Sequence, residues 1–128
     1  MRVLVIDDDP DALRIASDIL RLTGHEVVAL PDFSGIQKYA DVDAAVIDLF
    51  LPGLDGVACS RILRRLANRM TPVVFLSAAH PRSPLMVEAA KQPAAEVVAK
   101  GPAAARVLPG VIERLSRMST LDHDPDRG

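Results

Sequence analysis

Five short apolar runs, separated by segments with helical spacing, most constrain the fold of this chain. Each run has four to six residues, which is too short for a stable helix but typical of a strand buried on both faces. The runs are Arg2–Ile6, Glu26–Leu30, Ala44–Ile47, Pro72–Ser77 and Ala95–Ala99. Strands that alternate with helices predict an α/β fold with a doubly wound five-stranded parallel sheet.

Five helices are predicted between and after these strands. The first begins at Asp9-Pro10, because Asp is a good N-cap and Pro fits the first helical position, and it stops at Gly24. The others are a short helix after Pro31, a third from near Asp55, a fourth over about 85–91 and a last over about 103–118. Pro109-Gly110 should kink the last helix or delay its start. Residues 1–118 are thus one predicted domain, and 119–128 a flexible tail or the start of a linker.

The third helix is predicted to be amphipathic. Its apolar side carries Val57, Cys59, Ile62, Leu63 and Leu66, and its solvated side carries Arg61, Arg64, Arg65 and Arg69. Its N-cap is Asp55, and Cys59 is interpreted as a small core residue.

Composition narrows the class of protein further. Hydrophobic residues make up 49% of the chain and aromatic residues only 3%, so the core must be aliphatic. The formal net charge of −2 gives no sign of a nucleic-acid or membrane surface. The N-terminal apolar run is too short for a signal peptide or a membrane span. The single cysteine excludes an internal disulfide and a cysteine metal cluster, and these features together predict a soluble, cytoplasmic protein.

Polar side chains stand where the predicted strands end. Right-handed crossovers place the carboxyl ends of all five strands at one edge of the sheet, where ligands bind in such folds. This edge is predicted to carry Asp7, Asp8, Asp48, Ser77 and Lys100. The sequence has neither GxGxxG after the first strand nor GxxxxGK[ST], so dinucleotide and P-loop nucleotide binding lack their usual loop.

Asp48 has two interpretations from its immediate surroundings. It ends an apolar strand and precedes a loop with Pro52, Gly53 and Gly56, which are residues that break regular structure. It is either a ligand held at the edge of the sheet or only a cap of the loop or helix that follows.

The predicted edge suits phosphoryl transfer. Three carboxylates that are ionised together repel each other, so they need a compensating cation or one of them must take up a proton. A hard divalent ion with oxygen ligands, such as Mg²⁺, is the natural solution. A carboxylate can then act as a nucleophile and form an acyl phosphate, while the metal and a lysine neutralise the phosphoryl oxygens.

At these residues the chain resembles the response-regulator receiver domains of two-component signalling, of the chemotaxis-regulator type, over about residues 2–118. The matching pieces are Val5-Ile6-Asp7-Asp8, Asp48 with Leu51-Pro52-Gly53-Leu54-Asp55-Gly56, Ser77-Ala78 and Lys100. The resemblance implies a flavodoxin-like sheet with strand order 2-1-3-4-5.

The resemblance also implies roles for the edge residues. Asp48 would be the phosphoacceptor, taking the group from a histidine kinase or a histidine phosphotransfer protein. Asp7, Asp8, Asp48 and the backbone carbonyl of Phe50 would hold Mg²⁺, with Mn²⁺ as an alternative ion. Ser77 would bind the phosphoryl group, and Lys100 would pair with Asp48 and then with the phosphate.

The implied output is binding to a downstream protein whose identity the sequence does not give. The implied face is formed by the helix after the fourth strand, the fifth strand and the last helix. The chain would not be an enzyme beyond its own phosphorylation and dephosphorylation. This domain would bind neither membrane nor nucleic acid directly, and the family pattern allows a homodimer.

Two departures from the family pattern keep a second hypothesis open. Many receivers have an aromatic residue three before the lysine, where this chain has Val97, and many have lysine followed directly by proline, where this chain has Lys100-Gly101-Pro102. The alternative is therefore a receiver-like scaffold for protein interaction with weak or no switching by phosphorylation. A phosphatase with a carboxylate nucleophile is a third hypothesis, but the chain has no insertion that would form a substrate pocket.

Overall fold

A computed structural model of the chain describes residues 1–78 and 83–122. The strands are β1 (Arg2–Ile6), β2 (Glu26–Leu30), β3 (Ala44–Asp48), β4 (Val73–Ser77) and β5 (Ala95–Ala99). The helices are α1 (Pro10–Leu22), α2 (Gly56–Ala67), α3 (Pro84–Ala90) and α4 (Ala104–Asp122), with a 3₁₀ turn at Ile36–Tyr39. Every strand pair is parallel, and the order β2-β1-β3-β4-β5 confirms the predicted fold class.

The core consists of two layers, one on each face of the sheet. One layer joins the sheet to α1 and α4 through buried residues such as Leu20, Leu108 and Ile112. The other joins it to α2 and α3 through residues such as Leu63 and Ala89. Both β1 and β3 carry uninterrupted buried apolar residues, because a central parallel strand is covered on both faces.

Local capping signals fix where the helices begin. The Asp9 carboxylate accepts a hydrogen bond from the Asp11 N–H at 3.1 Å, and Pro10 is the first residue of α1. The Asp55 carboxylate accepts from the Ala58 N–H at 2.9 Å at the start of α2. Both N-cap predictions are confirmed, since each depends only on residues within one helical turn.

The prediction of five helices is wrong for the β2–β3 crossover. The described residues form four α-helices, and the segment after Pro31 makes only the 3₁₀ turn, in which Ile36 N–H donates to Phe33 O and Lys38 N–H to Gly35 O. No side chain caps this turn, and Ile36 is its only buried residue. In a segment this short, with so little burial, packing does not offset the free-energy cost of nucleating an α-helix.

The last helix starts at Ala104, so Pro109 does not delay its start. A proline removes one backbone donor, and buried Leu108, Ile112 and Leu115 hold both sides of this position against the sheet. The helix continues to Asp122 and includes the first residues of the predicted tail. Residues 123–128 lie outside the described residues, and the boundary at 118 stays a prediction.

No helix in the described ranges is both long and apolar enough to cross a membrane.

The predicted apolar side of α2 is partly wrong. Val57, Cys59 and Leu63 are buried as predicted, but Ile62 is 40% and Leu66 46% exposed. The interior positions of α2 face the sheet, and the 3₁₀ turn beside its C-terminal end is too small to cover its flank. Burial and the charge of Asp55 raise the pKa of the Cys59 thiol to about 12, as fits a core residue.

Arg64 does not belong to the solvated side of α2, contrary to the prediction. Its Nε donates to the Thr71 carbonyl at 3.0 Å, and its Nη2 donates to the carbonyls of Pro93 at 2.6 Å and Ala94 at 3.2 Å. Burial lowers the pKa of Arg64, and arginine still stays charged in proteins. One side chain thus joins α2 to the connections before β4 and β5.

Replacing Arg64 by Met is expected to lower the free energy of unfolding by about 2 kcal/mol. The reason is that the carbonyls of Thr71, Pro93 and Ala94 lose a charged hydrogen-bond donor. The matched control is Arg65→Met one residue along the helix. Arg65 is exposed and has no partner among the described residues, so its change should stay within about 0.5 kcal/mol. Urea unfolding of both variants measures the difference, and equal midpoints would show that the Arg64 contacts contribute nothing.

Candidate functional site

The fold brings the predicted acids together at the carboxyl edge of the sheet. Asp7 and Asp8 follow β1, and Asp48 is the last residue of β3. One carboxylate oxygen from each lies within 4.8 Å of the others. Asp7 and Asp48 are buried and Asp8 is exposed, so the cluster opens to solvent on the side of Asp8.

Lys100 bridges the two buried acids. Its Nζ lies 2.9 Å from Asp7 Oδ2 and 3.2 Å from Asp48 Oδ2. Burial by itself lowers the pKa of Lys100, but the hydrogen bonds and negative charges of Asp7 and Asp48 outweigh it, so its pKa is raised. The resemblance implied a pairing with Asp48 alone; the shorter contact is with Asp7.

Main-chain donors fix the other oxygen of each buried acid. The Asp9 N–H donates to Asp7 Oδ1 at 3.0 Å, and the Phe50 N–H donates to Asp48 Oδ1 at 3.1 Å. In both cases the donor lies two residues after the acid, as in an Asx-turn. The two carboxylates are therefore held by the backbone on one side and by Lys100 on the other, while Asp8 has no partner in the described part of the chain.

Ser77 also lies at this edge, as predicted. It is buried at the end of β4 and stands beside Ala99 in the register of β5. Its carbonyl accepts a hydrogen bond from the Lys100 N–H at 2.8 Å, which ties the backbone of Lys100 to the sheet. Gly101 follows with φ +151°, so the chain leaves the edge through a conformation that favours glycine.

Gly56 packs against the backbone of Asp48, a contact that the sequence reasoning missed, and it is the first residue of α2 and not part of the loop. A Cβ at this position would lie 2.6 Å from the Asp48 carbonyl oxygen and 2.9 Å from Leu49 Cα. The Gly56 N–H also donates to the Leu49 carbonyl at 2.8 Å. The available signal was a glycine directly after the N-cap Asp55, a position where helix formation itself does not require glycine.

The charges at this edge do not balance. Three carboxylates and one ammonium leave two negative charges beside partly buried groups. The donor set consists of oxygen atoms and is partly open to water, which fits a small hard cation that keeps several water ligands. The residues present therefore fit Mg²⁺, with Asp8 as the most accessible donor.

Fold and site together define a flavodoxin-like α/β domain with an acidic cluster at the carboxyl edge of its sheet. Residues 3–111 match the family model of the response regulator receiver domain. The chain belongs to this family, and it is a receiver domain of the two-component response regulators. The resemblance read from the sequence is confirmed.

Similar proteins agree with this assignment. The chain is 42% identical over 80 residues to the transcriptional regulatory protein PrrA of Mycobacterium tuberculosis, covering 60% of this chain and 34% of PrrA. It is 36% identical over 81 residues to protein PilG of Pseudomonas aeruginosa, covering 60% of each. The chain therefore spans about a third of PrrA and less than two thirds of PilG.

The solved structures include a close match in fold. A response regulator receiver domain protein from Clostridium thermocellum superposes with a TM-score of 0.80 at 25% identity, covering 94% of this chain and 97% of that one.

Proposed function

We propose that Asp48 accepts a phosphoryl group from a histidine kinase or a histidine phosphotransfer protein in a reaction that depends on Mg²⁺. The observation that carries this proposal is the ion pairing of Lys100 Nζ with both Asp7 and Asp48 inside a cluster of three acids. The cluster contains a nucleophile in a fixed orientation, the Asp48 carboxylate, and a set of oxygen donors for a metal ion. It also contains one ammonium group, that of Lys100, which can bind the transferred phosphoryl group.

In the proposed step, a carboxylate oxygen of Asp48 attacks phosphorus and forms the P–O bond of an acyl phosphate. The P–N bond to the donor imidazole breaks, and its electron pair stays on the imidazole nitrogen. The Phe50 N–H fixes the orientation of the Asp48 carboxylate, so little reorganisation precedes the attack.

Lys100 and Ser77 are proposed to bind the transferred group. Lys100 exchanges its contact with Asp48 Oδ2 for a phosphoryl oxygen and keeps its shorter contact with Asp7. The Ser77 hydroxyl, at the neighbouring strand end, donates to a second phosphoryl oxygen. Positioning and charge stabilisation dominate this chemistry, so no general acid is needed.

Asp7, Asp8, Asp48 and the backbone carbonyl of Phe50 are proposed to hold Mg²⁺ or Mn²⁺. When bound, such a cation would neutralise charge on the phosphoryl oxygens and on the acid cluster. The exposed carboxylate of Asp8 has no partner among the described residues, so its oxygens are available as metal ligands. The Asp7 carboxylate, in contrast, is already bound by the Asp9 N–H and by Lys100.

The output is proposed to be binding of a downstream protein at the face formed by α3, β5 and α4. Val87 and Val107 are exposed there, at 44% and 46%, and Arg114 pairs with Glu96 across β5 and α4. Apolar side chains beside charged pairs suit a protein interface. The domain is proposed to act in the cytoplasm, without direct contact to nucleic acid or membrane, and to be able to form a homodimer.

Acetyl phosphate with Mg²⁺ is expected to add one phosphoryl group to the chain, as measured by intact mass. The gain should disappear in Asp48→Asn, which keeps the shape but lacks the nucleophile. It should fall strongly when EDTA removes the divalent ion. Unchanged modification of Asp48→Asn would contradict the assignment of the phosphoacceptor, and full modification in EDTA would contradict the role of Mg²⁺.

An interaction scaffold without switching is the second candidate, and Val97 favours it. Val97 is half-buried against the core layer that contains α2 and α3, and it has no ring to exchange between two pockets. Amide NMR spectra with and without beryllium fluoride separate the candidates. Shifts confined to the acid cluster favour the scaffold, whereas shifts across α3, β5 and α4 favour the switch.

A further inference from the structure

A groove lies between α2 and the β2–β3 crossover, and we name it the α2 groove. Its pocket has a volume of about 370 Å³ and is lined by residues that include Lys38, Ala40, Leu66 and Arg69. α2 starts against Asp48 and extends roughly 16 Å before Ala67, so the groove lies toward the opposite end of the helix from the acid cluster.

The groove exists because one crossover lacks a helix. The other crossovers carry α-helices of 13, 12 and 7 residues, whereas the β2–β3 crossover has only a four-residue 3₁₀ turn. The flank of α2 beside this crossover is consequently without the helix that would cover it. The groove therefore lies where a crossover helix would otherwise pack against α2.

Large apolar side chains follow the open flank. Ile62 and Leu66 are 40% and 46% exposed and lie four residues apart. This spacing places both on one side of α2, and Leu66 lines the pocket. The sheet does not bury these two residues, since Val57, Cys59 and Leu63 already fill the core below the helix. An exposed row of this kind indicates a contact surface.

The polar residues around this row carry positive charge. Lys38, Arg65 and Arg69 are exposed, and Lys38 and Arg65 have no partner among residues 1–78 and 83–122. Within the described part of the chain, Arg69 donates only to a neutral group, the Asp43 carbonyl, at 3.2 Å. The acid in the pocket, Asp41, is already bound through both oxygens by Arg2 at 3.1 and 3.2 Å.

We propose that the α2 groove binds an amphipathic helix of a partner protein, with acidic residues beside its apolar stripe. The helix would take the place of the missing crossover helix, pack its apolar side on Ile62 and Leu66, and set its acids against Lys38, Arg65 and Arg69. This interaction goes beyond the proposed phosphotransfer, because the groove lies away from Asp48 and its residues are not part of the acid cluster.

A phage library of helical peptides tests the proposal, with a fixed Leu stripe and random residues at the polar positions. After selection against the full chain, the polar positions should be enriched in Asp and Glu. A selected peptide should bind at least about tenfold more weakly to the Lys38→Glu/Arg65→Glu/Arg69→Glu variant and to Leu66→Asp. These side chains are exposed, so the fold should be kept, and circular dichroism verifies this.

The matched control reverses three exposed charges elsewhere, in Lys91→Glu/Arg106→Glu/Arg117→Glu, and should leave peptide affinity unchanged. Asp48→Asn should also bind normally, which keeps this result separate from the phosphotransfer. The proposal is overturned if the selected peptides are not enriched in Asp and Glu. It is also overturned if both triple variants lose the same amount of peptide affinity. Binding of the chain to phosphatidylglycerol vesicles or to itself through this groove in place of the peptide overturns it as well.

Discussion

Replacing Lys100 by Met is expected to destabilise the folded chain by about 3 kcal/mol at neutral pH. The variant leaves Asp7 and Asp48, which are 1% and 5% exposed, without their shared counter-charge. Breaking a buried ion pair by removing one partner costs about 3–5 kcal/mol, and the opening toward solvent at Asp8 places this case at the lower end. Urea unfolding measures the loss.

The pH dependence of stability should differ between the two proteins. The pKa of Lys100 is raised in the folded chain, so its contribution is complete below the unfolded value near 10.5 and is lost as pH rises through the folded pKa. The wild type should therefore lose stability in this alkaline range, and Lys100→Met should not.

Two controls define this experiment. Lys91→Met removes an exposed lysine and should change stability by less than about 0.5 kcal/mol. Mg²⁺ should stabilise Lys100→Met more than the wild type, because the cation replaces the missing positive charge. If Lys100→Met unfolds at the same urea concentration as the wild type, the bridge between the two acids is absent in solution.

Among changes of small residues near the acid cluster, Gly56→Ala should cause the largest loss of stability and of phosphorylation rate. The added Cβ would lie 2.6 Å from the Asp48 carbonyl oxygen, and the backbone atoms that it meets cannot rotate away. Overpacking of this kind costs about 1–3 kcal/mol, although Ala normally favours a helix over Gly. Because the strain falls on the backbone of Asp48, phosphorylation by acetyl phosphate should also slow by about tenfold or more.

Gly110→Ala is the matched control for this change. It adds the same methyl group inside α4, where a Cβ meets no atom within 4 Å. It should stabilise the chain by about 0.5–1 kcal/mol and leave phosphorylation unchanged. Opposite signs for the two glycines would confirm the close approach at Asp48, and a Gly56→Ala protein of normal stability and activity would disprove it.

Much of the fold was readable because its signals are local. The buried runs of β1 and β3, and the caps Asp9 and Asp55, each depend on a few neighbouring residues. The edge residues were predictable for a topological reason, since parallel strands with right-handed crossovers bring their carboxyl ends together. Asp7, Asp48, Ser77 and Lys100 lie at that edge because of this rule, not because of any contact visible in the sequence.

Two of the wrong predictions concern which element covers another. Periodicity placed Ile62 and Leu66 on the apolar side of α2, but a neighbour large enough to bury them is absent from the β2–β3 crossover. Arg64 was placed with the solvated arginines, yet it reaches carbonyls up to 30 positions away in the chain. Helical spacing reports which residues share a side, and it does not report what stands opposite that side.

The sequence by itself determined the parallel sheet, the positions of its strands and the identity of the residues at its carboxyl edge, because these follow from local patterns and chain topology. Only the tertiary structure decided that Lys100 bridges two acids, that Gly56 must be small and that one flank of α2 stays open. These features depend on distances between segments far apart in the chain, and such distances are set by packing.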